Sequence, residues 1–240
     1  ILLSNYSIGV NNKFPNVFMI QDEKEIKEIF DHFSEEEIFK HQVLGIRRVM
    51  TKETSYSRIE EMLDRVGITF DKKPRKVAVI VKEETNELRE AFDRQTYPLK
   101  DLFLESTVNE ELLKDYDIMA FFDTQKEYGE FYLEDMINAF KYTNADYITK
   151  DAYYDSEIFN EGIEHDYVEL VQDKYRTVFW KDSFQLSSLI ELTGSIKRAN
   201  GYSIDRFEFN NQKTIVPEDS QKTYKLSVIV PAYNNGDHLL

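Results

Sequence analysis

The chain contains no cysteine, which excludes disulfides and thiolate metal sites and fits a reducing compartment. Basic residues are scarce: 30 Lys and Arg stand against 45 Asp and Glu, a formal charge of −15. Neutralising phosphates takes clustered Lys and Arg, so this balance argues against a nucleic-acid-binding surface. Long apolar runs are also missing. None approaches the roughly 20 residues of a membrane span, and no signal-peptide pattern opens the sequence.

What is present is enough for a substantial fold. With 240 residues the chain can bury one full core and a smaller satellite. The 17 Phe and 15 Tyr fit a large core with a Tyr-rich surface, or a sugar-stacking role. The organising stretch runs from Asp117 to Lys150 and reads as strand, acidic turn, helix, strand. Ile118 to Phe122 is a short apolar run of the kind that fills a sheet buried on both faces, and it ends on Asp123. Tyr128-Gly129 is a loop signal, and Leu133, Met136, Ile137 and Phe140 repeat at i, i+3, i+4, i+7, one apolar helix face.

Before this stretch lie two strand-like runs, Ile1 to Asn5 and Val17 to Ile20, and three helical patterns. The first helix starts at an Asp22-x-x-Glu25 capping box, with Ile26, Ile29, Phe30 and Phe33 as its inward stripe. The second starts at Ser34-x-x-Glu37 and turns Ile38, Val43, Ile46 and Met50 inward. Ile59, Met62, Leu63 and Val66 mark the third, which Gly67 closes. Asp71 to Arg75 is a charged, Pro-containing linker, and Lys76 to Val81 opens the main domain as a buried strand. Glu87 to Arg94 reads as a helix, Gln95-Thr96-Tyr97-Pro98 as a turn, and Leu102 to Leu104 as a strand.

Beyond Lys150, the acidic stretch Asp151 to Glu164 reads as an irregular lid or surface loop. His165 to Val168 and Tyr175 to Trp180 read as a hairpin, Asp182 to Leu192 as a helix, and Glu218 to Thr223 as a polar linker. Charge clusters such as Glu35-Glu36-Glu37 and Glu83-Glu84 are solvated faces and helix starts.

Several of these motifs resemble the nucleotide-sugar-dependent glycosyltransferases of family 2, which have the GT-A fold. The likeness rests on Phe121 to Lys126, on Tyr128-Gly129 followed by Tyr132-Leu133-Glu134-Asp135, and on Gln95-Thr96-Tyr97-Pro98. Leu226 to Asn235 resembles the opening strand and nucleotide-binding loop of a further family 2 domain. The run Ser4-Asn5-Tyr6-Ser7-x-Gly9, the turn Phe14 to Val17 and the helices after it resemble the C-terminal end of a GT-B domain.

The implied architecture is α/β: a GT-A-like mixed sheet flanked by helices at 76–210, with a small GT-B-type piece at 1–70. Linkers are expected at 71–75 and 211–225, and a truncated further GT-A strand at 226–240. The implied site has Lys82, Glu105, Asp123, Gln125 and Lys126 around a UDP-sugar, with Asn5 and Gly9 of the first segment near a donor. Asp205 matches the general base for the acceptor hydroxyl, and Tyr128, His165 and Trp180 lie on the acceptor side. A lone His or Trp beside a strand also serves as a packing residue.

The acidic motif departs from the family's Asp-x-Asp, because Gln125 stands in place of the second carboxylate. A divalent cation, Mn²⁺ or Mg²⁺, on Asp123 and Gln125 would act as Lewis acid and template for the diphosphate. Gln125 adds no charge and Lys126 repels a cation, so a weakened domain or a metal-free variant follows. The resemblance thus implies a fragment of a multidomain bacterial transferase, cytoplasmic or at the inner face of the membrane. It would act in cell-surface polysaccharide or wall-polymer synthesis, with flanking transferase domains as partners. A non-catalytic module that binds glycan or scaffolds its neighbours is the alternative.

Overall fold

A computed structural model describes residues 2–4, 9–10, 14, 17–70 and 74–213. Asn5 and the strand-like run from Leu226 therefore lie outside the described residues, as does most of the linker expected at 211–225. The N-terminal segment pairs β1 (Leu2–Ser4) in parallel with β2 (Val17–Met19). Three helices follow: α1 (Glu23–His32), α2 (Glu35–Lys52) and α3 (Ser55–Arg65).

Their ends follow local chemistry. Asp22 accepts from the Lys24 and Glu25 N–H groups, while the Glu25 carboxylate turns back to the N–H of Gln21, one residue before the cap. Ser34 and Glu37 form the full reciprocal box. Helix α3 ends in a Schellman arrangement, with Ile68 N–H on Leu63 O at 3.0 Å, Gly67 N–H on Asp64 O at 3.2 Å and Gly67 at φ 72°.

The inward stripes expected of these helices are not buried. Val43 alone of them reaches the interior, whereas Phe30, Ile46, Ile59, Met62 and Val66 stay exposed. Helix α2 meets the central domain through Arg47 and Thr51 together with Val43 and Phe39, and Phe33 packs edge-on against Phe18 and His41, while much of the remaining stripe stays open.

The central domain contains β3 (Val77–Val81), α4 (Asn86–Asp93), β4 (Lys100–Leu104), β5 (Ile118–Phe122), β6 (Glu127–Tyr128) and α5 (Tyr132–Ala139). It continues through β7 (Tyr147–Thr149), β8 (Tyr153–Asp155), β9 (Ile158–Asn160), β10 (Asp166–Val171) and β11 (Thr177–Trp180). Helix α6 (Leu186–Ile190), β12 (Ile196–Ser203) and β13 (Phe209–Asn210) complete it. The large sheet has the order β10-β12-β7-β11-β5-β3-β4. It is mixed: β3 is parallel to β4 and β5, whereas β11 runs antiparallel between β5 and β7. Helices flank it on both faces.

Every residue of β3 and β5 is buried, as their unbroken apolar sequences require. Val77, Val79 and Val81 pack with α4 and α5 on one face; Ala78 and Ile80 pack with Leu186 and Leu189 of α6 on the other. Gly201 is needed for close packing, since a Cβ there would lie 2.0 Å from the Tyr147 ring.

The hairpin expected between the His165 and Tyr175 segments does not form. β11 is apolar on both sides and inserts between β5 and β7, while β10 exposes two residues in three and takes the sheet edge against β12. The stretch expected to be irregular, 151–164, holds β8 and β9, joined at Ser156 with φ 55°. They join β6 and β13 in a second sheet of order β6-β13-β8-β9, so Tyr128 is a strand residue rather than a loop residue. The start of the expected 211–225 linker is docked as well, with Lys213 N–H on Gln125 O at 3.2 Å.

The N-terminal segment is tied down by Arg47. Its guanidinium makes a two-pronged bond to Asp135, at 2.7 and 2.6 Å, and reaches Glu208 at 3.1 Å. Thr51 donates to Glu134 and Lys141 donates to Met50 O alongside. Replacing Arg47 with Ala leaves two poorly solvated carboxylates facing each other, which costs about 3–5 kcal/mol. The expected outcome is a lower denaturant midpoint for Arg47→Ala at neutral pH, measured by urea unfolding; an unchanged midpoint would remove Arg47 as the anchor.

Candidate functional site

The chain order of the large sheet reverses at β3, which has β4 on one side and β5 on the other. In open α/β sheets ligands bind outside the carboxyl ends of strands at such a reversal. The residues that leave the sheet there are Lys82 after β3, Glu105 after β4 and Asp123 after β5. The Tyr175 side chain beside Lys82, with the Glu105 and Asp123 charges nearby, holds its ammonium above its ordinary value. Four sequence-predicted residues, Lys82, Glu105, Asp123 and Lys126, therefore share this rim. Tyr175 and Asp173 join them unforeseen. They precede β11, whose antiparallel insertion brings its start to the carboxyl ends of its neighbours, a placement no local pattern encodes.

Asp123 is bound into its own turn. Its Oδ1 accepts the Gln125 N–H at 2.8 Å, and its backbone N–H donates to the Tyr128 hydroxyl at 3.1 Å. Lys126 donates to Asn211 at 2.5 Å and lies 3.7 Å from Asp173. The Gln125 side chain faces solvent. A divalent cation requires several hard oxygen ligands. This turn offers one half-committed carboxylate and a neutral amide, next to Lys82 and Lys126, and those residues do not fit a divalent cation. Among the described residues no group of three or more acidic or histidine side chains is placed to hold a metal.

Tyr128, expected on the acceptor side, is buried. Its ring stacks on Phe122 with centroids 3.9 Å apart, and its hydroxyl donates to Tyr175 O at 3.0 Å. It is a strut that ties the Asp123 turn to the chain before β11. Tyr128→Phe strands the Asp123 N–H and Tyr175 C=O, at a cost of about 1–3 kcal/mol. A lower thermal midpoint in calorimetry, with the fold kept, is the expected outcome.

Asp205 also lies at a carboxyl end, that of β12, but it points inward. It is 3 % exposed, and its Oδ1 accepts from the Phe207 N–H at 3.0 Å and from Lys150 Nζ at 3.4 Å. Lys150, fully buried at the end of β7, also donates to Asp205 O at 2.8 Å. A carboxylate so held has no open path to an acceptor hydroxyl, so a general-base role does not match its placement.

His165 sits beside it at φ 53°, edge-on to Phe39, with its Nε2 buried and without a partner among the described residues. Burial holds the imidazole below its ordinary value, against the pull of Asp205. Trp180 lies elsewhere: it pairs with Ile118, at the amino end of β5, on the rim opposite Asp123. Gly9 is exposed, with open space around it.

The motif carboxylates of Tyr132-Leu133-Glu134-Asp135 serve docking. Glu134 accepts from Thr51 and Thr96, and Asp135 holds Arg47. Gln95 of the Gln-Thr-Tyr-Pro turn is likewise structural: its Oε1 accepts the Leu133 N–H in the first turn of α5, and its Nε2 donates to Gly129 O at 2.6 Å. Compared with known proteins, the sequence matches no family model, and no curated protein matches it either.

Burial pushes the Asp135 carboxyl from 3.8 up to about 6, with Arg47 pulling it down. The native state then holds this proton more tightly than the unfolded chain does. Its contribution to stability is fully present below the unfolded value and is lost as pH rises through about 6. Carbon-13 carboxyl NMR is expected to show Asp135 titrating near 6; a midpoint below 4 would mean that the Arg47 pair outweighs burial.

Proposed function

We propose that residues 76–210 are a GT-A-like nucleotide-sugar transferase frame, part of a glycosyltransferase for cell-surface polysaccharide or wall polymer, and that this frame is weakened as a catalyst. Its present work is architectural: it holds helix α2 and the N-terminal segment in place. The observation that carries this reading is the state of Asp205, the residue in the base position, which is buried against Lys150 with no exposed face. The chain reversal at β3, with Lys82, Glu105 and Asp123 on the rim outside it, supports descent from a nucleotide-binding frame. Loss of the chemistry with the frame retained is consistent with fold and function being separable.

A second reading has one observation in its favour. Lys82 and Lys126 flank Asp123, and ammonium groups can neutralise a diphosphate without a metal. That reading makes the domain a metal-free donor binder.

Calorimetric titration of the chain with UDP, UDP-glucose and UDP-N-acetylglucosamine, with and without Mn²⁺, separates them. The architectural reading expects no Mn²⁺-dependent binding and no difference between the wild type and Asp123→Ala. Mn²⁺-dependent binding abolished by Asp123→Ala would overturn it. Binding that ignores Mn²⁺ but is lost in Lys82→Ala would establish the second reading instead.

A further inference from the structure

The amino-end rim of the large sheet carries a recess of its own, of about 390 Å³, within the range of roughly 300–1,000 Å³ typical of small-molecule sites. Trp180 and Phe140 form its aromatic wall, with ring centroids 5.5 Å apart at 60°. Asn144, Asp146, Asp182 and Ser183 supply its polar wall. The indole is half-buried, and its N–H has no partner among the described residues. Asp146 uses Oδ1 to accept from Ser183 at 2.8 Å, which leaves Oδ2 without a partner among the described residues. The Asp182 side chain is 81 % exposed, with the Lys181 ammonium 3.9 Å away.

The charges select among ligand classes. Two carboxylates disfavour an anion. The cation among the lining residues, Arg75, donates to Ile137 O and Phe140 O at the end of α5, and its guanidinium lies over the aromatic wall, 5.2 Å from the Trp180 ring centre and 5.8 Å from that of Phe140, so it already fills the place a cationic ligand would take. Lys181 donates to Leu113 O and Lys114 O. A wholly apolar ligand would leave the carboxylates desolvated and unpaired. What remains is a neutral molecule with several hydroxyl donors and one C–H-lined face, since carboxylates accept hydroxyl hydrogens and an indole packs on apolar C–H surface.

We propose that this recess is a saccharide-binding site, in which Trp180 packs on a sugar ring and Asp146 and Asp182 accept its hydroxyls. It lies at the opposite end of the sheet from the Asp123 rim and needs no nucleotide, so it holds whether or not the rim binds a donor.

Trp180 is the single tryptophan of the chain, so its fluorescence under selective excitation reports on this recess alone. The experiment titrates the chain with glucose, galactose, N-acetylglucosamine and their β-linked disaccharides, with inorganic phosphate as the anionic control. The expected result is a saturable spectral change with at least one saccharide and none with phosphate. Asp182→Ala, at an exposed position, should weaken that affinity about tenfold, the value of one hydrogen bond to a charged group, with an unchanged circular dichroism spectrum. Asp146→Asn tests the inner acceptor in the same way.

No saturable change with any of the sugars in folded protein would overturn the site. So would a response that phosphate reproduces, or one that both variants retain in full. Ligand-observed NMR on Trp180→Phe supplies a reading that does not depend on the indole: retained binding at wild-type strength would also overturn it.

Discussion

Strands β3 and β5 are buried on both faces along their whole length, and that one constraint sorts the rest of the molecule. A doubly covered strand has no room for a polar side chain until it leaves the sheet. Polar chemistry is therefore driven to the rims. At the carboxyl end it collects Lys82, Glu105, Asp123 and Tyr175; at the amino end it collects Arg75, Asp146 and Trp180. The two rims are built from the same strands and differ in character, one charged and hydrogen-bonded into turns, the other aromatic and partly open.

The carboxyl-end rim is itself divided. On the β3 and β5 side the charged groups face outward. On the β7 and β12 side Lys150 and Asp205 are covered, under a shell that includes Arg47, Asp135 and His165. Helix α2 supplies part of that cover, and its arginine is matched to carboxylates the domain provides. The same cover that fixes the N-terminal segment also closes over the Asp205 carboxylate.

Much of the fold could be read before any coordinates. Unbroken apolar runs located β3 and β5, and Asp22, Ser34 and Gly67 marked helix ends because their capping bonds are local. Of the rim residues, Asp123 was legible as the residue on which a buried apolar run ends, and Lys82 and Glu105 through the family resemblance. What stayed hidden depends on distant pairing. β6, β8, β9 and β13 are two or three residues long, too short for periodicity to register. The inward turn of Asp205 depends on Lys150, 55 residues earlier, through the parallel register of β7 and β12. The place of Trp180 on the rim opposite Asp123 is likewise a matter of pairing, because β11 runs antiparallel to β5 and β7 and so ends at their amino ends.

Glu208 stands at φ 65° with its carboxylate divided between Arg47, at 3.1 Å, and the Phe131 N–H, at 3.2 Å. Arg47 and Glu208 are 161 residues apart. Helix α2 is synthesised before the central domain, yet one of the groups that seats it is made near the end of that domain. During synthesis its arginine and its exposed apolar faces must wait in solution for most of that time, at about 5–20 residues per second. Helix α2 therefore takes up its full set of contacts only once the central domain is nearly complete, well after its own synthesis.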